Sequence, residues 1–205
     1  DSRTAKDGDV FFCIKGENTD GHQYVSQALK NRVSAVVANP ENIPDALKNR
    51  DFPKILVPNP NQALKEWAFD VRKYFEGKVL AVTGSNGKTS TKEILLGLCR
   101  FFDSNAYGTP GNFNNDIGVP LTLLDAPIEA MWWIIEIGSN NFGEIAELSE
   151  IVKPTGGVIT NIGESHLEFL IDTKGVAKEK SGLFAGMAQG SKVVIPNSIL
   201  HLDIV

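Results

Sequence analysis

The stretch "AVTGSNGKTSTKE" (residues 81–93) joins an apolar run to a segment with helical spacing. Glycines at a strand-to-helix turn let backbone N–H groups converge on an anion at the positive end of the helix. In such a turn the side chain of Lys88 can reach the terminal phosphates of a nucleotide, and the hydroxyl of Thr89 can ligate Mg²⁺. The stretch therefore predicts a strand, a phosphate-binding loop and a helix, in that order.

The spacing of this loop is shorter than the common P-loop pattern. That pattern requires a glycine at position 82, where the chain has Val82. What remains is Gly84-x-x-Gly87, followed directly by Lys88 and Thr89. A glycine turn capped by a hydroxyl, with a lysine on the surface, is the simpler alternative for the same residues. The strand before and the helix after favour the phosphate loop.

Short apolar segments alternate with segments of helical spacing along the whole chain. The predicted strands are residues 9–14, 34–38, 54–57, 78–83, 131–138, 156–162 and 192–196. The predicted helices are residues 22–31, 61–75, 88–102, 143–152 and 172–189. This alternation predicts an α/β protein with mostly parallel sheets and flanking helices. The "EGK" at 76–78 suggests a hinge, so we expect two domains, residues 1–76 and 77–205.

Composition excludes some classes of function. The net charge of −5 and the pI near 5.3 argue against a nucleic-acid-binding protein. No apolar stretch approaches the ~20 residues that span a bilayer. Cys13 and Cys99 lie in apolar segments and are expected to be buried free thiols, as in the reducing cytoplasm. The chain opens without Met and ends inside the strand-like stretch "KVVIPNSILHLDIV" (192–205), so we expect both ends to be cut.

Two polar side chains follow neighbouring predicted strands. Glu136 closes the apolar run "MWWIIE", at the strand edge where open α/β sheets bind ligands. A carboxylate there is costly unless it meets a cation, so Glu136 is a candidate metal ligand, or alternatively an ion-pair partner. His166 follows the next strand in "TNIGESHLEFL" and is a second candidate ligand. A lone histidine is otherwise more often structural.

Lys180 lies on the apolar face of its predicted helix. Val176, Lys180, Leu183 and Phe184 recur at helical spacing, whereas Lys178 points elsewhere. Burial lowers the pKa of a lysine and leaves part of the amine neutral and nucleophilic. Such an amine could react with carbon dioxide to form a carbamate that holds a metal. A lysine that snorkels to solvent is an equally good interpretation of the pattern.

Four motifs resemble the Mur ligase family, the ATP-dependent enzymes that add amino acids to the cell-wall precursor. They are "TGSNGKTS" (83–90), "EIGSNNFGEI" (136–145), "TNIGESHLE" (160–168) and "GVAKEKSGLF" (175–184). The family's own phosphate loop is TGxxGKT, so Val82 is not a departure from it. The resemblance covers essentially the whole chain and rests on several independent motifs.

Two longer stretches narrow the resemblance. "GTPGNFNNDIGVPLTLL" (108–124) is most similar to the members that join D-alanyl-D-alanine to UDP-N-acetylmuramoyl-tripeptide. "DSRTAKDGDVFFCIKGENTDGHQYVSQAL" (1–29) resembles the UDP-binding domain of the last two ligases of the pathway. The resemblance thus implies these two substrates, a cytoplasmic monomer, and a reaction through an acyl phosphate that consumes ATP.

The resemblance also assigns roles to residues. It implies catalytic roles for Lys88, His166 and Lys180. It implies two Mg²⁺ ions, held by Thr89, Glu136, His166 and Lys180 as its carbamate. It places the uridine part of the substrate at Ser2 and Arg3, which could instead form a turn and a surface ion pair. The implied ATP-binding residues are Gly84, Ser85, Asn86, Gly87, Lys88, Thr89, Ser90, Asn114 and Asn115.

Two alternatives remain open, and one departure matters. The chain could be another Mur-type ligase, such as the one that adds the third residue, or a non-catalytic nucleotide-binding module. Glu136, His166 and Lys180 favour the ligase, because a simple sensor needs no second metal site. The family has a third, C-terminal domain that this chain does not contain, so residues 1–205 alone are expected to be inactive.

Overall fold

The computed structural model describes residues 1–16, 18–48, 51–163 and 173–197. The chain divides into two compact units, residues 1–66 and residues 67–205, called here the first and second unit. The division lies inside helix α3 (Pro60–Tyr74), and the boundary predicted at residue 76 falls just after this helix ends. Strands alternate with helices in both units, so the predicted α/β class is confirmed.

The first unit is built on a small parallel sheet. Its strands run in the order β1-β2-β3, with β1 at Val10–Phe12, β2 at Ala35–Ala38 and β3 at Lys54–Leu56. Its helices are α1 (Val25–Lys30) and α2 (Asp45–Lys48), with 3₁₀ turns at Gly21–Tyr24 and Pro40–Asn42. The buried core comprises Phe11, Cys13, Val25, Ala28, Val33, Val36, Ala38 and Leu47.

The second unit contains a five-stranded sheet in which all neighbours are parallel, in the order β5-β6-β4-β7-β8. The strands are β4 (Lys78–Thr83), β5 (Tyr107–Gly108), β6 (Trp132–Glu136), β7 (Gly156–Ile159) and β8 (Lys192–Val194). The helices are α4 (Lys88–Phe102), α5 (Gly118–Asp125), α6 (Glu144–Val152) and α7 (Thr173–Ser181).

Alternation along the central strands separates two apolar cores. Ile135 of β6 faces the larger core, which also holds buried residues of α5 and α6. Ile134 faces the other way, toward Leu96 and Cys99 of α4. Because side chains two apart in a strand share a face, Glu136 lies on the α4 side of the sheet. The carboxyl ends of β4, β6 and β7 meet at one edge, where ligands bind in open α/β sheets.

Apart from shifts at the ends of elements, the structure differs from the sequence expectation at α2, which was not predicted, and in two longer segments. Residues 107–120 are rich in Asn and Gly and were predicted as a loop, and no helix was predicted after them, but the structure contains β5 and α5 here. The helix expected over 172–189 ends at Ser181 and continues as the 3₁₀ helix Gly182–Gly186. The reason is close packing, since a Cβ on Gly186 would lie 1.8 Å from the Ser149 carbonyl oxygen of α6.

Two smaller expectations can be compared with the structure. Cys13 and Cys99 are buried free thiols, as predicted. In the described ranges, none of the helices has the length and apolar character needed to cross a membrane.

Candidate functional site

The turn between β4 and α4 has the backbone geometry of an anion-binding loop. Gly84 and Gly87 adopt φ angles of 140° and 78°, which favour glycine. A Cβ on Gly84 would also lie 2.1 Å from the Oγ1 atom of Thr160. Gly87 precedes the first helical residue, Lys88, and offers no side chain to cap it. The first N–H groups of α4 therefore remain available for an anion.

The segment after β7 holds this loop in place. The Asn86 N–H donates to Oδ1 of Asn161 at 2.8 Å, and the Thr160 hydroxyl donates to the Asn86 carbonyl at 2.6 Å. The Ser85 N–H donates to the Asn161 carbonyl at 3.1 Å. The Gly163 N–H donates to the Ser85 hydroxyl oxygen at 3.0 Å. Hydrogen bonds from a second strand end thus fix the loop before any ligand binds.

Lys88 folds back over its own loop. Its Nζ donates to the carbonyl oxygens of Gly84 at 2.9 Å and Ser85 at 3.3 Å. Thr89 and Ser90 are exposed on the first turn of α4. The ammonium of Lys88 must exchange these carbonyl contacts for a phosphate if a nucleotide enters.

Glu136 is a buried carboxylate with one unused oxygen. Its side chain is 1% exposed at the end of β6. Its Oε1 accepts a hydrogen bond from Nδ2 of Asn114 at 2.8 Å, whereas its Oε2 has no hydrogen-bond partner within the described segments. A buried carboxylate oxygen without a partner is costly, and hard divalent cations prefer oxygen ligands. This atom therefore fits a metal ligand.

Asn114 and Asn115, the predicted nucleotide-loop residues, differ in their contacts. Asn114 contacts Glu136 through its side chain, and its carbonyl oxygen accepts the Gly138 N–H at 2.7 Å. Asn115 instead contacts the first residue of α5, because its Oδ1 accepts the Gly118 N–H at 2.8 Å. The side-chain oxygen of Asn115 is thus engaged in holding the helix.

Lys180 is buried on the inward face of α7, as the helical spacing predicted, whereas Lys178 is exposed. Its Nζ lies 3.2 Å from the hydroxyl of Ser139 and does not reach solvent, so the snorkelling alternative is wrong. Burial, and secondly the nearby charge of Lys88, lowers the pKa of Lys180 to about 8. The amine is therefore partly neutral at physiological pH.

The residue before Lys180 fixes its helix. Glu179 is 2% exposed, and its carboxylate accepts the N–H groups of Gly143 at 2.5 Å and Ile145 at 3.0 Å. N–H groups at the start of a helix have no acceptor within the helix itself, and a negative charge is favourable there. Glu179 thus holds α7 against α6, and with it the position of the Lys180 amine.

The other predicted site residues lie in the first unit or outside the described residues. His166 falls outside the described residues. Within the parts of the second unit that are described, no three His, Cys, Asp or Glu side chains converge as a metal cluster. In the first unit, the carbonyl of Ser2 accepts a hydrogen bond from Asn31, and Arg3 forms an exposed ion pair with Asp1 at 2.5 Å.

A cavity of the first unit was not expected from the sequence. It has a volume of about 500 Å³ and lies beside His22, Asp20 and residues 40–45. The Nδ1 of His22 contacts Oδ1 of Asp20 at 2.5 Å, and its Nε2 accepts the Asn39 N–H at 3.2 Å. The cavity follows the carboxyl end of β2, and the sequence feature that could indicate it is His22, which could touch a ligand at this loop of the first domain.

Sequence reasoning also missed residues that support Glu136. The Glu136 N–H donates to the hydroxyl oxygen of Thr109 at 2.8 Å. The Thr109 carbonyl accepts a hydrogen bond from Nζ of Lys92 at 2.9 Å. Helical spacing could have revealed Lys92, because Lys92, Leu96 and Cys99 share the buried face of α4.

Comparison with known families and proteins gives a consistent result. Residues 82–203 match the Mur ligase middle domain, and residues 1–72 match the Mur ligase family catalytic domain. The UDP-N-acetylmuramoyl-tripeptide–D-alanyl-D-alanine ligase of Haemophilus influenzae is 34% identical over 207 residues, covering 100% of this chain and 44% of that protein. The same ligase of Escherichia coli is 35% identical, covering 95% and 42%.

Solved structures show the same likeness. MurF from Acinetobacter baumannii superposes with a TM-score of 0.84 at 33% identity, covering 96% of this chain and 42% of that one. The MurF ligase of Thermotoga maritima, in complex with ADP, gives a TM-score of 0.85 at 30% identity, covering 100% and 47%. The chain thus spans somewhat less than half the length of the proteins it matches.

Proposed function

The chain belongs to the Mur ligase family, and from this we propose that it supplies the nucleotide site and the UDP-substrate site of an ATP-dependent ligase. The ligase joins D-alanyl-D-alanine to UDP-N-acetylmuramoyl-tripeptide. The observation that carries the proposal is the glycine loop at the end of β4, one strand away from the buried Glu136 with its unused oxygen. The similarity to ligases of that specificity supports the choice of substrates.

The phosphates of ATP are proposed to bind at the start of α4. The backbone of the loop and the first helical turn supply N–H donors, and Lys88 exchanges its loop carbonyls for a phosphate oxygen. Asn114 and Asn115 approach the nucleotide from the loop after β5. The proposed nucleotide contacts are Gly84, Ser85, Asn86, Gly87, Lys88, Thr89, Ser90, Asn114 and Asn115.

Two Mg²⁺ ions belong to the proposal. Thr89 would hold one, while Glu136, His166 and Lys180 as its carbamate would hold the other. The free Oε2 of Glu136 supports this assignment, because a cation would relieve a buried oxygen that otherwise has no partner among the described residues. When bound, the ions would offset negative charge on the phosphates.

The environment of Lys180 supports the proposed carbamate. With a pKa of about 8, a substantial fraction of the amine is neutral near pH 7.5. The nitrogen lone pair forms a bond to the carbon of carbon dioxide, a C=O electron pair moves to oxygen, and one N–H proton leaves to solvent. The buried ammonium is thereby replaced by an anion beside Lys88, whose charge disfavours the protonated form of Lys180.

The reaction itself has two steps. The carboxylate at the end of the UDP-linked tripeptide attacks the γ-phosphorus of ATP, the bond to ADP breaks, and an acyl phosphate forms. The amine of D-alanyl-D-alanine then attacks the acyl carbon, and phosphate leaves after the amine has lost its proton. Lys88 favours the first step by offsetting charge between a carboxylate and a triphosphate, which otherwise repel each other.

The first unit is proposed to bind the uridine part of the substrate at Ser2 and Arg3. Arg3 would have to leave its exposed contact with Asp1, a change that costs little because surface ion pairs are weak. The proposal further includes a monomeric protein. It also includes a cytoplasmic location, which the two free thiols support.

Nucleotide binding by residues 1–205 tests the first part of the proposal. A fluorescent ATP analogue should bind more tightly with Mg²⁺ than with a chelator, and Lys88→Ala should weaken binding at least about tenfold by removing a phosphate-contacting charge. Lys78→Ala is the matched control, since Lys78 is exposed at the opposite end of β4. Equal binding by wild type and Lys88→Ala would contradict the proposed site.

A further inference from the structure

We propose that Lys92 is a positioning residue: its buried ammonium holds Thr109 and, through the Thr109 hydroxyl, the backbone of Glu136. This inference rests on the proposed function, because it takes Glu136 as a ligand of the second proposed Mg²⁺ ion. It adds a residue outside the phosphate loop that controls the geometry of that ligand.

The first step is that Lys92 is buried although it carries a charge. It is 1% exposed, in the second turn of α4. Removing an ammonium from water is costly, and an apolar side chain of similar volume would fill the same space without that cost. Packing alone therefore gives no reason for a lysine at this position, whereas its N–H donors do.

The second step is where those donors go. Nζ of Lys92 donates to the Thr109 carbonyl at 2.9 Å and to Oε1 of Glu93 at 2.5 Å. Glu93 is largely exposed, so water can solvate its carboxylate in place of Lys92. The contact with Thr109 is buried and charge-assisted, and it is the one that can hold a loop.

The third step is that Thr109 uses every polar group it has. Its N–H donates to the Ile134 carbonyl at 3.0 Å, and its hydroxyl oxygen accepts the Glu136 N–H at 2.8 Å. Its carbonyl is held by Lys92. Thr109 thus links the carboxyl end of β6 to α4, and Lys92 is the residue of α4 that makes this link.

The fourth step is the close approach that makes the contact possible. Leu96 is one turn after Lys92 on the same face of α4 and packs over Gly108, where a Cβ would lie 2.8 Å from Cδ2 of Leu96. Because Gly108 has no side chain, α4 lies near enough to β5 for Lys92 to reach the next residue.

The last step concerns the Glu136 carboxylate itself, which the same loop contacts through Asn114. The loop that Lys92 fixes at Thr109 returns at Asn114, whose side chain donates to Oε1 of Glu136 at 2.8 Å. The backbone and one carboxylate oxygen of Glu136 are therefore both held by this loop. The other oxygen is left for the cation, and loss of Lys92 should loosen its placement.

The first arm of the test measures, without any ligand, how well the Thr109 hydroxyl protects the Glu136 amide from hydrogen exchange. In Lys92→Met, the Glu136 amide should exchange its hydrogen at least about tenfold faster relative to the Ile134 amide in the same strand, as read by NMR. Glu93→Gln is the matched control, because it removes the exposed partner of Lys92 and leaves Thr109 in place. Unchanged relative exchange in Lys92→Met would overturn the inference.

The second arm measures the consequence for the metal. Lys92→Met should bind a fluorescent ATP analogue within about twofold of wild type in chelator, but should need at least about tenfold more Mg²⁺ to reach the tighter state. Thr109→Val should show the same increased Mg²⁺ requirement, and the double variant Lys92→Met, Thr109→Val should need no more Mg²⁺ than either single variant. Thr109→Ser keeps the hydroxyl and should need the same Mg²⁺ concentration as the wild type. If Lys92→Met weakens binding of the ATP analogue equally with and without Mg²⁺, Lys92 has only a structural role and the inference is wrong.

The two arms separate this inference from the proposed function. If the wild-type chain shows no Mg²⁺-dependent nucleotide binding, the proposed function fails. The exchange arm still decides whether Lys92 positions Glu136.

Discussion

Lys180→Met should make the second unit more stable at neutral pH, although the same lysine is proposed to be essential for activity. Burial, followed by the charge of Lys88, lowers the pKa of Lys180 from 10.5 to about 8. At about 1.4 kcal/mol for each tenfold change in protonation, the ammonium costs the folded state about 3 kcal/mol at pH 7. Methionine has no such cost but loses the hydrogen bond to Ser139, worth about 1 kcal/mol. The expected net gain is about 2 kcal/mol.

The sign of the pH dependence follows from the lowered pKa. Below pH 8 both folded and unfolded chains hold the proton on Lys180, so the cost is present in full. Between pH 8 and 10.5 the unfolded chain binds the proton and the folded chain does not, so the wild-type free energy of unfolding rises with pH. The gap between wild type and Lys180→Met should narrow by about 2 kcal/mol from pH 7 to pH 9.5.

Guanidinium chloride unfolding followed by tryptophan fluorescence measures this gap. All three tryptophans, Trp67, Trp132 and Trp133, belong to the second unit, so the signal reports the unit that contains Lys180. Guanidinium is preferred to urea, because cyanate in urea solutions carbamylates lysines. Bicarbonate-free buffer keeps the amine unmodified.

Lys178→Met, on the exposed side of the same helix, is the control and should change stability by less than about 1 kcal/mol at either pH. A Lys180→Met variant that is less stable than wild type at pH 7, with the same pH slope, would refute the reasoning.

Three further outcomes follow from the described contacts. Gly84→Ala should destabilise the second unit by about 2 kcal/mol or more, because its Cβ would collide with Thr160 at a φ of 140°; chemical unfolding measures this. Arg72→Met should cost about 3 kcal/mol in the same assay, because the buried guanidinium donates to three backbone carbonyls. Cys13 and Cys99 should resist a thiol reagent at pH 8 until the chain is unfolded, since burial raises both pKa values, that of Cys13 to about 12.

The sequence predicts those parts of the site that depend on local pattern. The phosphate loop was predictable because strand, glycines, lysine and helix are adjacent in the chain. The inward orientation of Lys180 was predictable because helical spacing alone places it among apolar residues. The position of Glu136 at the end of an apolar run was predictable from that run, although the strand was predicted to continue to residue 138 and ends at Glu136.

Contacts between distant segments were not predictable in the same way. Nothing in the local sequence indicates that Thr160 and Asn161 hold the phosphate loop, or that Thr109 supports Glu136. The short strand β5 and helix α5 were missed because the segment that contains β5 and leads into α5 is rich in Gly, Asn and Pro, which is typical of loops. Tertiary hydrogen bonding to β6 makes this segment regular despite its composition.

Lys92 is the most instructive omission. A charged side chain favours a solvated position, whereas the spacing of Lys92 from Leu96 and Cys99 favours the buried face of α4. In the structure the side chain is buried, and its ammonium donates to the Thr109 carbonyl and to the Glu93 carboxylate. A charged residue on an apolar helical face is therefore a useful indication of a tertiary hydrogen bond.

Phosphate release by the protein that carries this chain is the most direct test of the ligase proposal. With ATP, Mg²⁺ and UDP-N-acetylmuramoyl-tripeptide, release should require D-alanyl-D-alanine as well, and Lys88→Ala should abolish it. Release that needs neither substrate would indicate a hydrolase. Release supported by a free amino acid and a shorter UDP-peptide would place the protein at an earlier step of the pathway, and either result would contradict the proposed specificity.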